Sequence, residues 1–428
     1  MRRGHTDKLA GARLARVSSA ADEVLAGLAR AAGVAADSLA DASDSQLAGA
    51  LSSMAQRLSD VQAELAAAND RDVAAAEGGG MSPALLDRLR LGKDRLDDLA
   101  TNLRLLADTA PMVREVPIRK MPGGLQLLER RRPVGVIGVN YEARPNVTID
   151  VASQLLKSRN AGVLRTGSAA IGSALALHEH VIAPALADAG LDPDAIQIVG
   201  EPGHEYASAL VRQPELIRLV ILRGSGETTA ALGAEAARHG VRTLAHAEGG
   251  GVLYIDRAAA PDTVRRLLRQ GTDRLGVCNR VNLVLVAEAV ADEFEPLIRT
   301  ELDALGIAIS ADPLGHPIGH EWALDDGNEA TVTLLRVEDE LAAARLANAE
   351  TSGLAATIAT EDAATARRFL DRYHGTGAFW NATTRLLDGF KLLAVPETGI
   401  NVDHMPGPRG PVTFADLYLR QYVVVPAS

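Results

Sequence analysis

The sequence predicts an α/β protein with two parallel-sheet domains, a helical segment before them and an extended arm after them. Three changes of texture carry this reading. From residue 19 to about 115 apolar residues recur three or four apart, and from about Val116 short apolar runs alternate with helical stretches. From 402 onward prolines and β-branched residues replace both patterns. Short buried strands alternating with helices imply a mostly parallel sheet covered on both faces, because crossover helices must pack somewhere.

In the helical segment Leu47, Ala50, Leu51, Met54, Leu58, Val61 and Leu65 form one stripe, which reads as core and therefore as scaffold. Gly78-Gly79-Gly80 breaks it, and Ser82-Pro83 reads as an N-cap with proline in the first turn of a new helix. The first α/β series runs through Val134–Val139, Val151–Leu156 and Ala161–Leu164, then a helix through Ala187, then Ile196–Val199, Leu219–Leu222 and Val252–Ile255. A second series begins near Arg269 with Val281–Val286, a helix through Leu305, Thr331–Leu335, Thr357–Ile358 and Gly377–Trp380. The tail Val423-Val424-Val425 is expected to pair with another sheet edge, such as that of a neighbouring subunit.

Composition narrows the function. With 428 residues, 47 % hydrophobic and 23 % charged, the chain can bury large cores and is not disordered over most of its length. A net charge of −11 and only 3 % aromatic residues argue against a nucleic-acid binder, which needs a broad cationic face or a stacking platform. A local basic pocket for a phosphorylated substrate remains compatible with that charge. One cysteine, Cys278, excludes an internal disulfide and a thiolate metal site, and no carboxylate–histidine spacing suggests a metal. Met1-Arg2-Arg3-Gly4-His5 is not followed by the apolar run of a signal peptide, and no stretch of about 18 apolar residues predicts a membrane helix. The expected compartment is the cytoplasm.

Four segments could carry chemistry. Cys278 lies at the junction before an apolar strand, with Gly276 to let the chain turn and Arg274 and Arg280 to favour a thiolate; a lone cysteine is otherwise a small buried apolar residue. Asn140-Tyr141-Glu142-Ala143-Arg144-Pro145-Asn146-Val147-Thr148 leaves a strand for a helix, and reads equally as a ligand loop or as a capped helix entry with Asn146 or Thr148 bonding free amides. Arg165-Thr166-Gly167-Ser168 and Arg223-Gly224-Ser225 each follow a strand, offering a cation and backbone amides suited to a phosphate or ribose. Glu248 precedes Gly249-Gly250-Gly251, where glycines permit close backbone approach; its carboxylate could be a base or a structural group.

The stretch from Gly135 to Thr148 resembles the signature of the γ-glutamyl phosphate reductase (glutamate-5-semialdehyde dehydrogenase) family, within the aldehyde dehydrogenase superfamily. Leu156-Lys157-Ser158 with Asn160, Leu164-Arg165 with Gly167-Ser168, Val277-Cys278-Asn279, Asn381 to Arg385, Asp388-Gly389-Phe390 and Glu397 with Gly399-Ile400 follow in family order. The resemblance implies an aldehyde dehydrogenase-like fold: residues 1–246 for the N-terminal helices and cofactor-binding domain, 247–401 for the catalytic domain, and 402–428 with 117–133 for a small oligomerisation arm. It implies NADP(H), or NAD(H), held by Arg165, Gly167, Ser168, Arg223, Gly224, Ser225 and Glu397. It also implies reduction of an acyl phosphate to a semialdehyde in proline biosynthesis. Cys278 would be the nucleophile, Asn146 and the Cys278 amide the oxyanion donors, and Arg144, Asn279 and Arg274 the substrate ligands. A homo-oligomer, a dimer or tetramer, and an upstream amino-acid kinase are the expected partners, with no nucleic acid and no membrane.

Departures from the family pattern cluster near the expected amino-acid site. Gly271 to Gly276 stands where the family shows Lys-x-x-Arg-Pro-Ser, and Gly353-Leu354-Ala355-Ala356 stands for Gly-His-x-Glu. The acyl group could therefore differ from γ-glutamyl. The alternatives are a hydrolytic aldehyde dehydrogenase with Glu248 as its base, and a non-catalytic paralogue.

Overall fold

The computed structural model describes residues 19–224, 226–246, 249–310, 316–325, 327–403 and 407–427. Five helices open the chain: Ala20–Asp41, Asp44–Asp60, Gln62–Gly78, Pro83–Leu89 and Lys93–Asp108. Ser19 and Ser43 start the first two through reciprocal capping boxes with Asp22 and Gln46. The predicted stripe is core: Leu47, Leu51, Met54, Leu58 and Leu65 are buried and Val61 is half-buried.

Sixteen strands follow among the described residues. β1 (Glu115–Met121) and β2 (Leu125–Pro133) form a hairpin. The first domain's strands are β3 (Val136–Tyr141), β4 (Ala161–Thr166), β5 (Ile196–Ile198), β6 (Leu219–Arg223) and β7 (Arg242–His246). The second domain's are β8 (Gly251–Ile255), β9 (Val281–Ala287), β10 (Ala308–Ser310), β11 (Thr331–Val337), β12 (Ala355–Ala359) and β13 (Gly377–Trp380). A small ribbon of β14 (Gly399–Asn401) and β15 (Gly410–Val412) precedes β16 (Tyr418–Pro426).

The first domain's sheet is parallel in the order β5-β4-β3-β6-β7, and the N-terminal helices share one apolar core with it. Strand order reverses beside β3, so the crevice beyond the ends of β3 and β6 is where a ligand has room. The second sheet is parallel in the order β10-β11-β9-β8-β12-β13. Cys278 lies just before β9 and Gly249 just before β8, so the starts of the second sheet's central strands meet the ends of the first sheet's.

Two sequence expectations change, and the tail's expected pairing with a sheet edge is met within the chain. Val151–Leu156 is not a strand but part of the helix Asn146–Lys157, buried along almost its whole length; a short apolar run does not by itself separate a strand from a buried helix segment. Val252–Ile255 is the centre of the second sheet rather than the end of the first series. The apolar tail pairs along β16 with β2 of its own chain, leaving Leu419, Tyr422 and Val424 exposed. The helical stretch Ser168–Asp188 is long and apolar enough to cross a membrane by length and composition, yet it is half buried. It packs on the helices Gln62–Gly78 and Asp44–Asp60, which is what its apolar length serves here.

Candidate active site

Cys278 is placed by glycines rather than by its own side chain. Gly250 N–H donates to the Cys278 carbonyl at 2.7 Å and Gly251 N–H to that of Arg280 at 2.6 Å. A Cβ on Gly249 would stand 2.7 Å from Cys278 Cα and 2.6 Å from its carbonyl oxygen, so only glycine fits without moving the loop. From the far side Thr384 Oγ1 donates to the Asn279 carbonyl at 2.8 Å, and Asn279 Nδ2 to that of Leu387 at 3.0 Å. Gly276 contributes no special turn: its φ is ordinary and the space beside it is open but for Arg88. Gly249→Ala is expected to lower activity at least tenfold while costing about 1–3 kcal/mol of stability, measured by steady-state rates beside urea unfolding.

Cys278, Arg144 and Arg223 lie on the shared wall of two cavities. One, about 400 Å³, opens between the domains and is lined by Glu142, Ala143, Gly224, Gly249, Glu321 and the helix Pro83–Leu89. The other, about 380 Å³, holds Asn146, Asp150, Asn279, Arg385, Phe390 and Glu397. A third space of about 300 Å³ adjoins it, lined by Arg88, Arg95, Arg144 and Arg274. Four guanidinium groups on one wall make this side of the cysteine a place for anions.

Burial pushes the Cys278 thiol up to about 11, against the pull of Arg144 and Arg223 and with help from Glu397 and Glu321. The cations facing the sulfur are therefore Arg144 and Arg223, not Arg274 and Arg280. Arg274 pairs with Asp87 at 3.1 Å on the exposed rim. Arg280 is fully buried and donates to the carbonyls of Glu329 and Thr331. Burial, with Arg223 next, lowers Arg144 to about 10, and a Cys278 thiolate would restore it. At neutral pH the sulfur thus rests as a thiol. Iodoacetamide alkylation should quicken about tenfold per pH unit between pH 8 and 10 without levelling, whereas a plateau below 9 would contradict this environment.

Arg144 leaves a strained loop: Ala143, between Glu142 and Arg144, holds φ = +23° without being glycine. The capped-entry reading of this loop fails. Pro145 is the N-cap and makes no side-chain cap bond, Asn146 Nδ2 donates instead to Asp150 Oδ2 at 3.1 Å, and Thr148 Oγ1 pairs with the Tyr141 hydroxyl at 2.6 Å. Asn146 faces the second cavity but its amide is aimed at Asp150. Asn279 is buried, and its amide is spent on the Arg385–Leu387 carbonyls, which makes it a holder of the cysteine loop. Burial raises Asp150 to about 6, with Arg223 and Asn146 opposing and Asp388 adding to the shift.

The expected cofactor residues divide. Gly224 lines the first cavity, where a Cβ would stand 2.9 Å from Glu142 Oε1, and Arg223 Nη1 donates to the Thr398 carbonyl at 3.1 Å. Gly167 packs on the Glu142–Ala143 backbone, and exposed Ser168 opens a helical turn behind it. Arg165 is buried and donates to Asn140 Oδ1 at 3.1 Å and the Gly203 carbonyl at 2.8 Å. Its Nε and the neighbouring Thr166 Oγ1 are buried with no partner, as expected where a ligand would supply one. Glu397 lies across the cysteine in the second cavity and accepts from Gly389 N–H at 2.7 Å. Ser225 and Glu248 lie outside the described residues.

Four contributors were not foreseen. Arg88 and Leu85 come from a helix read as scaffold, and Arg88 Nη2 donates to the Gly276 carbonyl at 2.8 Å. Glu321 accepts from Gly249 N–H at 2.7 Å beside the sulfur. Asp150 sits one turn along the helix from Asn146. No local pattern marks any of them; only the tertiary fold brings them to the cysteine.

A family model described as the aldehyde dehydrogenase family matches residues 5–314. The chain belongs to the aldehyde dehydrogenase family. Membership makes it an oxidoreductase acting on an aldehyde or acyl phosphate. It is similar to the γ-glutamyl phosphate reductase of Thermotoga maritima, 26 % identical, covering 94 % of this chain and 98 % of that one with a TM-score of 0.85. An acetylating aldehyde dehydrogenase of Geobacillus thermoglucosidasius shares the fold at 15 % identity, 95 % and 97 % coverage and a TM-score of 0.70. So does a Rhodopseudomonas palustris propionaldehyde dehydrogenase, solved with bound CoA and an acylated cysteine, at 16 % identity, 94 % and 97 % coverage and 0.68.

Proposed function

We propose that the chain reduces an acyl phosphate, γ-glutamyl phosphate or a related amino-acid acyl phosphate, to its semialdehyde through a thioester on Cys278. The observation that carries this is that Cys278 shares the walls of both cavities with Arg144 and Arg223, with further arginines lining the adjoining space. Arg144 and Arg223 stabilise the thiolate as it forms and then face the charge of the departing phosphate. The sulfur bonds to the acyl carbon, the carbon–oxygen bond to phosphate breaks, and inorganic phosphate leaves. Arg165, Gly167, Ser168, Arg223 and Gly224, with Glu397, would hold NADP(H) or NAD(H), which would supply a hydride; the thioester so reduced is a hemithioacetal on Cys278. Collapse of that adduct frees the aldehyde and the Cys278 sulfur. The Cys278 amide is the candidate donor to the oxyanion; Asn146 would first have to leave Asp150.

The substrate's amino group has a partner in Asp150, the carboxylate buried among these arginines. Asp150→Asn is expected to raise KM for the amino-acyl substrate about tenfold or more while changing kcat less, since a binding contact present in both ground and transition states is lost. Through the exposed apolar residues of β16, the arm is proposed to join copies of the chain.

The test of the activity is to supply the acyl phosphate from a coupled glutamate kinase and follow NADPH consumption, and to run the aldehyde oxidation with and without phosphate. Aldehyde oxidation that requires phosphate supports the reading. Phosphate-independent oxidation lost in Glu248→Gln would replace it with the hydrolytic dehydrogenase.

A further inference from the structure

His316, His320 and Asp325 form the one group of histidine, cysteine or carboxylate ligands, among the described residues, placed closely enough to share a metal ion. One ligand atom from each lies within 4.8 Å of the others. His320 Nε2 stands 3.1 Å from Asp325 Oδ2, and His316 Nε2 stands 4.0 Å from that same oxygen. The second carboxylate oxygen is held elsewhere, since Asn328 Nδ2 donates to Asp325 Oδ1 at 3.3 Å. No lysine or arginine among the described residues pairs with Asp325; its polar neighbours are Asn328 and the two imidazoles.

The segment is built to hold them. Trp322 packs its indole beneath both rings, with centroids 5.3 Å from His316 and 4.6 Å from His320, and anchors the turn by donating Nε1–H to Thr333 Oγ1 at 3.0 Å. The short helical turn Trp322–Leu324 then brings Asp325 back over the imidazoles. The two rings, tilted 36° to each other with centroids 4.2 Å apart, both present Nε2 to one carboxylate oxygen. As neutral imidazoles they make a two-histidine, one-carboxylate donor set, which suits zinc, cobalt or nickel. Ligand atoms around such an ion stand about 3.3–3.5 Å apart at metal–ligand distances near 2.1 Å, so His316, exposed at the rim, has only a short way to swing.

We propose that His316, His320 and Asp325 bind a divalent transition-metal ion, zinc in the first instance, on the wall of the catalytic cleft. The ligands bracket Glu321, Ala323 and Leu324, which line the cavity beside Cys278, and Glu321 also holds Gly249 N–H. An ion there clamps that wall from behind without touching the reacting atoms. The spacing His316-x3-His320-x4-Asp325 is visible in the sequence, but nothing in it announces that Asp325 folds back.

The test uses the full-length chain and the metals alone. Cobalt(II) is titrated while its visible absorption is recorded, and zinc stoichiometry is measured by equilibrium dialysis. The Trp322 emission, isolated by Trp380→Phe, reports quenching by cobalt next to the ring. The expected result is one ion per chain at micromolar Kd, a thermal midpoint raised by several degrees with zinc, and binding at least tenfold weaker in His316→Ala, His320→Ala and Asp325→Asn. His316→Ala alters an exposed side chain and keeps the test valid if His320→Ala misfolds. Binding unchanged in these variants, lost instead in Cys278→Ser, or absent up to about 1 mM metal overturns the proposal.

Discussion

Cys278→Ser is expected to abolish reduction of the acyl substrate, by about three to six orders of magnitude in kcat, with the fold intact. The oxygen replaces sulfur in almost the same volume, and the groups that hold the loop are backbone: Gly250 N–H on the Cys278 carbonyl and Gly251 N–H on that of Arg280. The side chain adds only apolar packing against Leu354, Ala355, Leu387 and Ile400, which serine's similar volume largely keeps, so loss of rate measures loss of the nucleophile. The hydroxyl has a far higher pKa than a thiol and faces the same burial that already pushes the thiol to about 11, which leaves it no route to an anion. Two measurements check this. Pre-steady-state mixing with the acyl phosphate should release one equivalent of phosphate per wild-type subunit and none per variant. Intact-mass analysis should find the acyl adduct on the wild type alone, and the absence of any second cysteine makes its location unambiguous. A variant within tenfold of the wild-type rate would remove Cys278 from the chemistry.

Much of this site was legible in the sequence, for a definable reason. Strands β3, β4, β6, β8 and β9 are continuous apolar runs ended by polar loops, so the ends of the elements, where ligands bind, could be placed to within a residue or two. Arg144, Arg223 and Cys278 all sit at such ends. What could not be read was direction. Arg274 and Arg280 flank the cysteine in the chain, yet one turns out to Asp87 and the other inward to the start of β11, because neighbours in sequence at a strand junction point to different sides. Other motif residues proved to be fasteners. Lys157 Nζ donates to the Thr109 carbonyl at 2.6 Å and Asn160 Nδ2 to that of Leu417 at 2.9 Å, tying the helical segment and the arm to the first domain. A recognisable pattern marks what the fold needs as well as what the chemistry needs, and only contacts separate the two. Arg88, Glu321 and Asp150 show the converse: a charged residue on an ordinary helix or loop acquires its role from what packs opposite.

Arg144→Met carries the second large effect, and its sign on stability separates it from simple damage. Arg144 is half-buried, and desolvation first, then the charges of Arg223, Arg88 and Arg274, lower it to about 10, while a Cys278 thiolate favours its charge. The resting enzyme therefore holds a cation that the fold pays to keep. Methionine fills similar volume without charge, so burial and repulsion are both relieved, and the unfolding midpoint should stay level or rise. Catalysis should fall. The thiolate loses the strongest charge favouring it, so the thiol moves above its already raised value and alkylation at pH 9 slows. The phosphate leaving the acyl carbon also loses a donor, a loss worth about 10²–10³ in kcat where the donor is preorganised. Arg144→Lys should recover part of the alkylation rate, since it restores a point charge, but little of kcat, since an ammonium cannot offer the guanidinium's paired donors. Rates, alkylation and urea unfolding measured on the same three proteins decide the matter. A methionine variant less stable than wild type, or one that alkylates as fast, would show that Arg144 serves the fold and that the charge beside the sulfur comes from Arg223 alone.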